Sequence, residues 1–161
     1  MAVFTCASCG LALTPDLTLS PGELVRPPYL YRGPGPSTVA RGWFAIDPEP
    51  FGAPFVPATN QDGSAQAMPE VGLTVEGVDF ESAGPRNTVV VNPDDAPSLQ
   101  PHPDNLRLTG CCGLIGDNGP NQVCACGDEA ATLMADCYGP HELHLHPDRV
   151  SSDQVRPGAA R

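Results

Sequence analysis

No lysine occurs in this chain of 161 residues, and all eight of its basic side chains are arginines. That absence excludes Schiff-base catalysis through a lysine amine and phosphate binding by a lysine. Aromatic residues make up only 6% of the chain, so few large side chains are on hand to fill a core. Ile46 and Ile115 are the only isoleucines, and beside abundant Ala, Gly and Pro this suggests a GC-rich bacterial coding sequence. No apolar run approaches the ~18 residues that would cross a bilayer. Nucleotide-binding glycine motifs, the G-x-S-x-G elbow and the H-E-x-x-H zinc motif are missing as well. The opening residues MAVFTCASCG show neither the basic nor the apolar part of a secretory leader. A cytoplasmic location without membrane attachment is the resulting expectation.

The chain does hold 20 prolines and 17 glycines, close to the share at which order itself is in question. A thin core of this kind gains from a cross-link or a metal. The net charge of −11 repels phosphate backbones and anionic membranes, which favours protein partners or cationic ligands over nucleic acid. In a reducing compartment, seven cysteines read first as metal ligands or redox groups, and an odd count argues against complete disulfide pairing.

Two segments far apart in the chain look alike: Cys6-Ala-Ser-Cys9-Gly10 and Cys124-Ala-Cys126-Gly127. A C-x-x-C-G turn aims two thiolates at one point, and the glycine permits the positive φ that closes the turn. Two such knuckles supply the four sulfurs that tetrahedral zinc prefers. Cys6, Cys9, Cys124 and Cys126 are therefore the expected ligands of one structural zinc, the arrangement of a zinc ribbon. The distal C-x-C is one residue short, so its turn must tighten; otherwise Cys112 or Cys137 would substitute. Inert buried cysteines are the alternative, and so is a thioredoxin-type redox pair, for which no βαβ pattern surrounds Cys6 and Cys9. Cys112 and Cys137 flank the distal knuckle almost symmetrically and could form a disulfide, a second metal site with a histidine, or unrelated packing; Cys111 reads as unremarkable.

The pattern predicts a mostly β fold: one small domain over residues 1–150, with knuckles at 4–14 and 122–137, joined by irregular Pro/Gly-rich loop. Residues 1–20 read as a hairpin, and 21–37 as irregular loop. Trp43 marks the expected centre of the core within 38–47, and the proline-dense 48–57 excludes regular structure. Residues 58–70 look like a mobile loop. Strands are expected at 71–80, 87–92 and 105–109. Residues 128–136, DEAATLMAD, have helix-forming composition, but they follow a metal knuckle and are read as a strand. HELHLH at 141–146 alternates like an edge strand, with His144 and His146 on one face, His141 on the other and Glu142 solvated. The tail from Ser151 is expected to fray.

The segments TCASCGLALT, FAIDPEPFGAPF and GLIGDNGPNQVCACGDEAATLMADC resemble an uncharacterised family of similar-length zinc-ribbon-like proteins from high-GC actinobacteria. The resemblance implies a distal knuckle that is generally C-x-x-C-G, from which Cys124-Ala-Cys126 departs. It also implies that histidines at 141, 144 and 146 are not general. No activity comes with it. The functional expectation is a zinc-binding, non-catalytic accessory or assembly protein that contacts other proteins. The alternative is a metal- or thiol-dependent enzyme built on Cys112 and Cys137 or on His144 and His146.

Overall fold

A computed structural model describes residues 1–28 and 35–154. Among them there is no α-helix, and the fold is a single mostly β domain. In chain order the strands are β1 (Thr5–Cys6), β2 (Thr18–Leu19), β3 (Trp43–Asp47) and β4 (Phe55–Pro57). Then come β5 (Leu73–Val75), β6 (Val78–Ser82), β7 (Thr88–Val91) and β8 (Gln100–Pro101). The last four are β9 (Gln122–Val123), β10 (Glu129–Met134), β11 (Glu142–Leu145) and β12 (Val150–Ser151). The main sheet runs β2-β3-β7-β11-β10-β9-β8, β4-β6-β5 form a second small sheet, and β1 pairs with β12.

The register of the main sheet explains its two faces. Phe44, Val91 and Leu143 align across three strands, as do Ile46, Val89 and Leu145. Strand side chains alternate between faces, so these rows present one apolar surface. Phe4, Leu13, Leu17 and Val150 pack onto it, and Phe4 meets Phe44 edge-on at 5.1 Å between centroids. The opposite face carries Ala45, Val90, His144 and Thr132 in one row, beside Asp47 with Thr88 and Glu142 with Met134. Phe51, Met68, Val71 and Phe55 cover part of that second face.

The β reading of 128–136 holds: Glu129–Met134 is a strand between β9 and β11. Ladder partners on both sides override the helix propensity of DEAATLM. Residues 87–92 contain β7, and the N-terminal hairpin is held by bridges Thr5↔Ala12 and Ala2↔Leu17.

Several expectations change. Residues 71–80 are not one strand but fold back at Glu76-Gly77, whose φ values of 50° and 79° make the turn that joins β5 to β6. Asn105–Arg107 is a 3-10 turn, because the Asp104 carboxylate accepts the Leu106 N–H at 3.0 Å and starts a turn where a strand was expected. Phe55–Pro57 is a strand despite its prolines, lying at the edge of its sheet where a missing donor costs little. Trp43 is 38% exposed, and its neighbour Phe44 fills the core instead. Ala58, Ala67 and Met68 anchor the 58–70 segment by burial. Ser151 pairs with Thr5 and does not fray. Part of the expected 21–37 loop, residues 29–34, and residues 155–161 of the expected tail lie outside the described residues.

Candidate metal centre

Each knuckle is a hairpin closed by its own backbone. In the proximal one, the Gly10 N–H donates to the Cys6 carbonyl at 2.8 Å and the Cys6 N–H to the Leu11 carbonyl at 2.9 Å. In the distal one, the Gly127 N–H donates to the Cys124 carbonyl at 2.8 Å and the Cys124 N–H to the Asp128 carbonyl at 2.9 Å. The two designs differ by the single residue that C-x-C lacks: the ring closes one residue earlier. Gly10 and Gly127 take φ of 75° and 90°, the left-handed conformation such turns need. The tightening required of the distal knuckle is present, and neither Cys112 nor Cys137 stands in.

Strand pairing then brings the knuckles together. β1 lies against β12, with Cys6 opposite Val150, and the Ala7 N–H donates to the Arg149 carbonyl at 2.9 Å. Asp128 ties the same pieces from the side, accepting from Ser8 Oγ at 2.7 Å and from Arg149 Nη1 at 2.9 Å. The four sulfurs of Cys6, Cys9, Cys124 and Cys126 lie within 4.8 Å of one another. Cys6 Sγ is 3.7 Å from Cys126 Sγ, and Cys9 Sγ is 3.6 Å from Cys124 Sγ. A tetrahedron with zinc–sulfur bonds of about 2.3 Å has edges of about 3.8 Å. The free thiols stand nearly at that spacing. Cys6 and Cys124 are buried, while Cys9 and Cys126 are exposed.

The local electrostatics are uneven. The Leu11 amide, followed by contact with Cys124 and Cys126, pulls the Cys9 thiol below its ordinary value. Burial, set against a favourable Cys126 amide, pushes Cys124 up to about 12. A divalent cation reverses this, since it binds the thiolate and releases the proton.

A second group gathers Cys111, Cys112, Asp136 and Cys137, again with ligand atoms within 4.8 Å of one another. Cys111 belongs to it, contrary to its unremarkable reading, and the non-sulfur donor is Asp136 where a histidine was contemplated. The Asp136 carboxylate organises the group. Its Oδ2 accepts the Cys111 N–H at 2.6 Å, and its Oδ1 accepts those of Cys112 at 3.1 Å and Cys137 at 2.5 Å. Asp136 in turn, followed by Cys112, pushes the Cys137 thiol up to about 12.

The histidines lie in neither group. His144 is fully buried in a central strand, not an edge strand, with Nε2 on Glu142 at 2.7 Å and Nδ1 on Thr88 Oγ1 at 2.8 Å. Phe51 stacks on its ring at 3.5 Å between centroids. Glu142 is buried, not solvated: Arg26 and Thr38 also hold its carboxylate. His144 and Arg26 thus keep it ionised down to about 2 against the opposing effect of burial. His146 Nε2 meets Thr132 Oγ1 at 2.8 Å, and His141 Nδ1 meets the Gly35 carbonyl at 3.1 Å. With these ring nitrogens occupied from different directions, His144 and His146 do not converge on a metal.

Sequence reasoning missed Asp136, Arg26, Asp47 and Thr88. An Asp immediately before a cysteine was the visible signal for the first; Arg26 sits in proline-rich loop, where nothing marked it. No family model, curated protein or solved structure matches this chain.

Proposed function

We propose that the protein binds one structural zinc ion through Cys6, Cys9, Cys124 and Cys126, and acts without catalysis as an accessory or assembly component. The observation that carries the metal reading is the convergence of four sulfurs from opposite ends of the chain, at 3.6 and 3.7 Å across two pairs. Four thiolates leave no open position for a substrate or reactive water, which is the mark of a structural site. Zinc suits an all-sulfur tetrahedron at cellular pH. The resemblance to actinobacterial zinc-ribbon-like proteins and a reducing, cytoplasmic setting agree with free cysteines.

The accessory role follows from charge and from what the other candidate groups do. A net charge of −11 without lysine disfavours nucleic acid and favours a protein partner with basic surface. The alternative enzyme built on His144 and His146 loses support from the fully buried, hydrogen-bonded His144.

Elemental analysis of the purified chain, with Cys9→Ser beside it, is the decisive test. Zinc in the wild type, at least one equivalent of it lost in Cys9→Ser together with a fall in melting temperature, supports the proposal. Wild-type protein free of zinc overturns it. Tight filter binding of DNA or RNA at low salt would overturn the choice of partner.

A further inference from the structure

The second cysteine group has the features of a built site and not of chance proximity. Cys111 and Cys112 sit in a short loop between two glycines that have no room for a side chain. A Cβ on Gly110 would run into the Gly113 carbonyl oxygen and stand 2.8 Å from Asp136 Oδ2. One on Gly113 would run into the Ala135 carbonyl oxygen. The loop is thus pressed against the end of β10, and further backbone bonds fix it there: the Ala135 N–H to the Leu114 carbonyl at 2.8 Å, and the Ile115 N–H to the Thr109 carbonyl at 2.9 Å. Three N–H bonds to one buried carboxylate, two from Cys111 and Cys112 and one from Cys137, orient the three cysteines.

We propose that Cys111, Cys112 and Cys137 bind a second zinc ion, with the free lone pair of Asp136 Oδ2 as fourth donor. Oδ2 accepts one backbone N–H and Oδ1 two, so Oδ2 retains one acceptor position, and a carboxylate oxygen of Asp136 lies within 4.8 Å of all three sulfurs. Three thiolates and one carboxylate oxygen are a donor set that zinc accepts in tetrahedral geometry. On binding, the three thiols release their protons to solvent as the zinc–sulfur bonds form. The backbone N–H groups on Asp136 offset the excess negative charge of the loaded site.

This centre differs from the Cys6/Cys9/Cys124/Cys126 site in kind. It joins no distant parts of the chain: Cys111 and Cys137 flank the distal knuckle and β10, and only 25 residues separate Cys111 from Asp136. Two of its ligands, Cys111 and Cys112, are exposed, as are Cys9 and Cys126 of the other site, but its fourth donor is a carboxylate oxygen and not a sulfur. The two sites lie at opposite ends of β10, separated by the strand's six residues, or about 20 Å. One zinc can therefore leave without the other. The second is the exchangeable one, having one sulfur fewer and a carboxylate oxygen in its place.

The test uses the full chain purified with zinc and measured by elemental analysis and native mass spectrometry. The wild type is expected to carry two zinc ions, and the Cys111→Ser/Cys112→Ser double variant one. Because both substituted residues are exposed, the variant is expected to keep the wild-type far-ultraviolet circular dichroism. Cys9→Ser should lose the other ion, so failure of one site is distinguishable from failure of both. Cobalt substitution gives a second readout independent of those variants. Sulfur-to-metal charge-transfer absorbance should grow in two steps, the second about three-quarters of the first, in proportion to three against four thiolates. A single wild-type zinc that the double variant keeps, a double variant that retains two, or a Cys112–Cys137 disulfide in protein purified under reducing conditions would each overturn the proposal.

Discussion

Arg26 and Glu142, separated by 116 residues, form a two-point contact in which Nε donates to Oε1 at 2.7 Å and Nη2 to Oε2 at 3.2 Å. The same Nη2 reaches Asp47 Oδ2 at 2.6 Å, so one guanidinium answers two buried carboxylates. Glu142 passes the connection to His144, and His144 to Thr88. This chain of polar contacts shares the second face of the main sheet with the apolar cover of Phe51, Met68, Val71 and Phe55.

Removing the cation should therefore expose its full cost. Arg26→Leu leaves Glu142 and Asp47 buried without the guanidinium they share, and stability should fall by about 3–5 kcal/mol. Arg26→Lys should recover only part of it, since an ammonium is a point charge and not a planar fork. Urea unfolding at pH 7 measures both; a Leu variant within ~1 kcal/mol of wild type would show the network to be dispensable.

Acid should weaken the fold in two overlapping stages. His146, held neutral chiefly by burial, ionises only near pH 4 in the fold and near 6.5 when unfolded, so stability is lost as pH falls through that window. Glu142 ionises near 2 when folded and near 4.5 when unfolded, so its contribution is present above 4.5 and disappears on the way down to 2. Each shift corresponds to on the order of 3 kcal/mol. Glu142→Gln should flatten the lower window and His146→Gln the upper one. Differences from wild type in urea midpoints between pH 7 and 3 cancel the metal loss they share.

These two faces also show where the sequence was readable and where it was not. The apolar rows through Phe44, Val89, Val91 and Leu145 were legible as β pattern because apolar side chains need no partner of fixed identity. The knuckles were legible because Gly after cysteine has few other uses. HELHLH was legible as a strand, but its polar half was assigned to solvent because alternation alone cannot show that a guanidinium arrives from residue 26. Asp136 was invisible for the same reason: its three N–H donors come from a loop whose path depends on two glycines packed against carbonyls. Burial of polar groups is decided by partners distant in the chain, and those are a product of the fold.

That path makes a sharp prediction for the glycines. Gly113→Ala must displace either the Ala135 carbonyl or the loop itself, since its Cβ overlaps that oxygen. A local shift should scatter Cys111, Cys112 and Cys137 while leaving Cys6, Cys9, Cys124 and Cys126 in place. The expected outcome is a stability loss of about 1–3 kcal/mol, with the four-cysteine zinc retained. Thiol-reagent titration of the zinc-loaded variant should find three accessible cysteines and four protected ones. Loss of protection at all seven would show that the two ends of β10 are not independent.

The ligands of the four-cysteine centre should separate by burial once the metal is taken away. With zinc bound, any Cys→Ser change opens a cross-link between residues 120 apart in the Cys6–Cys126 pair. Tying down a loop of that length restricts the unfolded chain by about 4–5 kcal/mol on the chain-entropy model. Metal-loaded protein should thus lose a comparable amount in each of the four variants. Without zinc the cross-link is already absent, and only local effects remain. Cys9 and Cys126 are exposed, so Cys9→Ser and Cys126→Ser should then unfold within about 0.5 kcal/mol of zinc-free wild type. Cys6 and Cys124, each 1% exposed, sit in the apolar core, where a hydroxyl lacking a partner costs about 1–3 kcal/mol. Paired melts with and without a strong chelator separate the two contributions. Four variants that stay equally impaired without metal would mean that the cysteines act by packing and not by binding zinc.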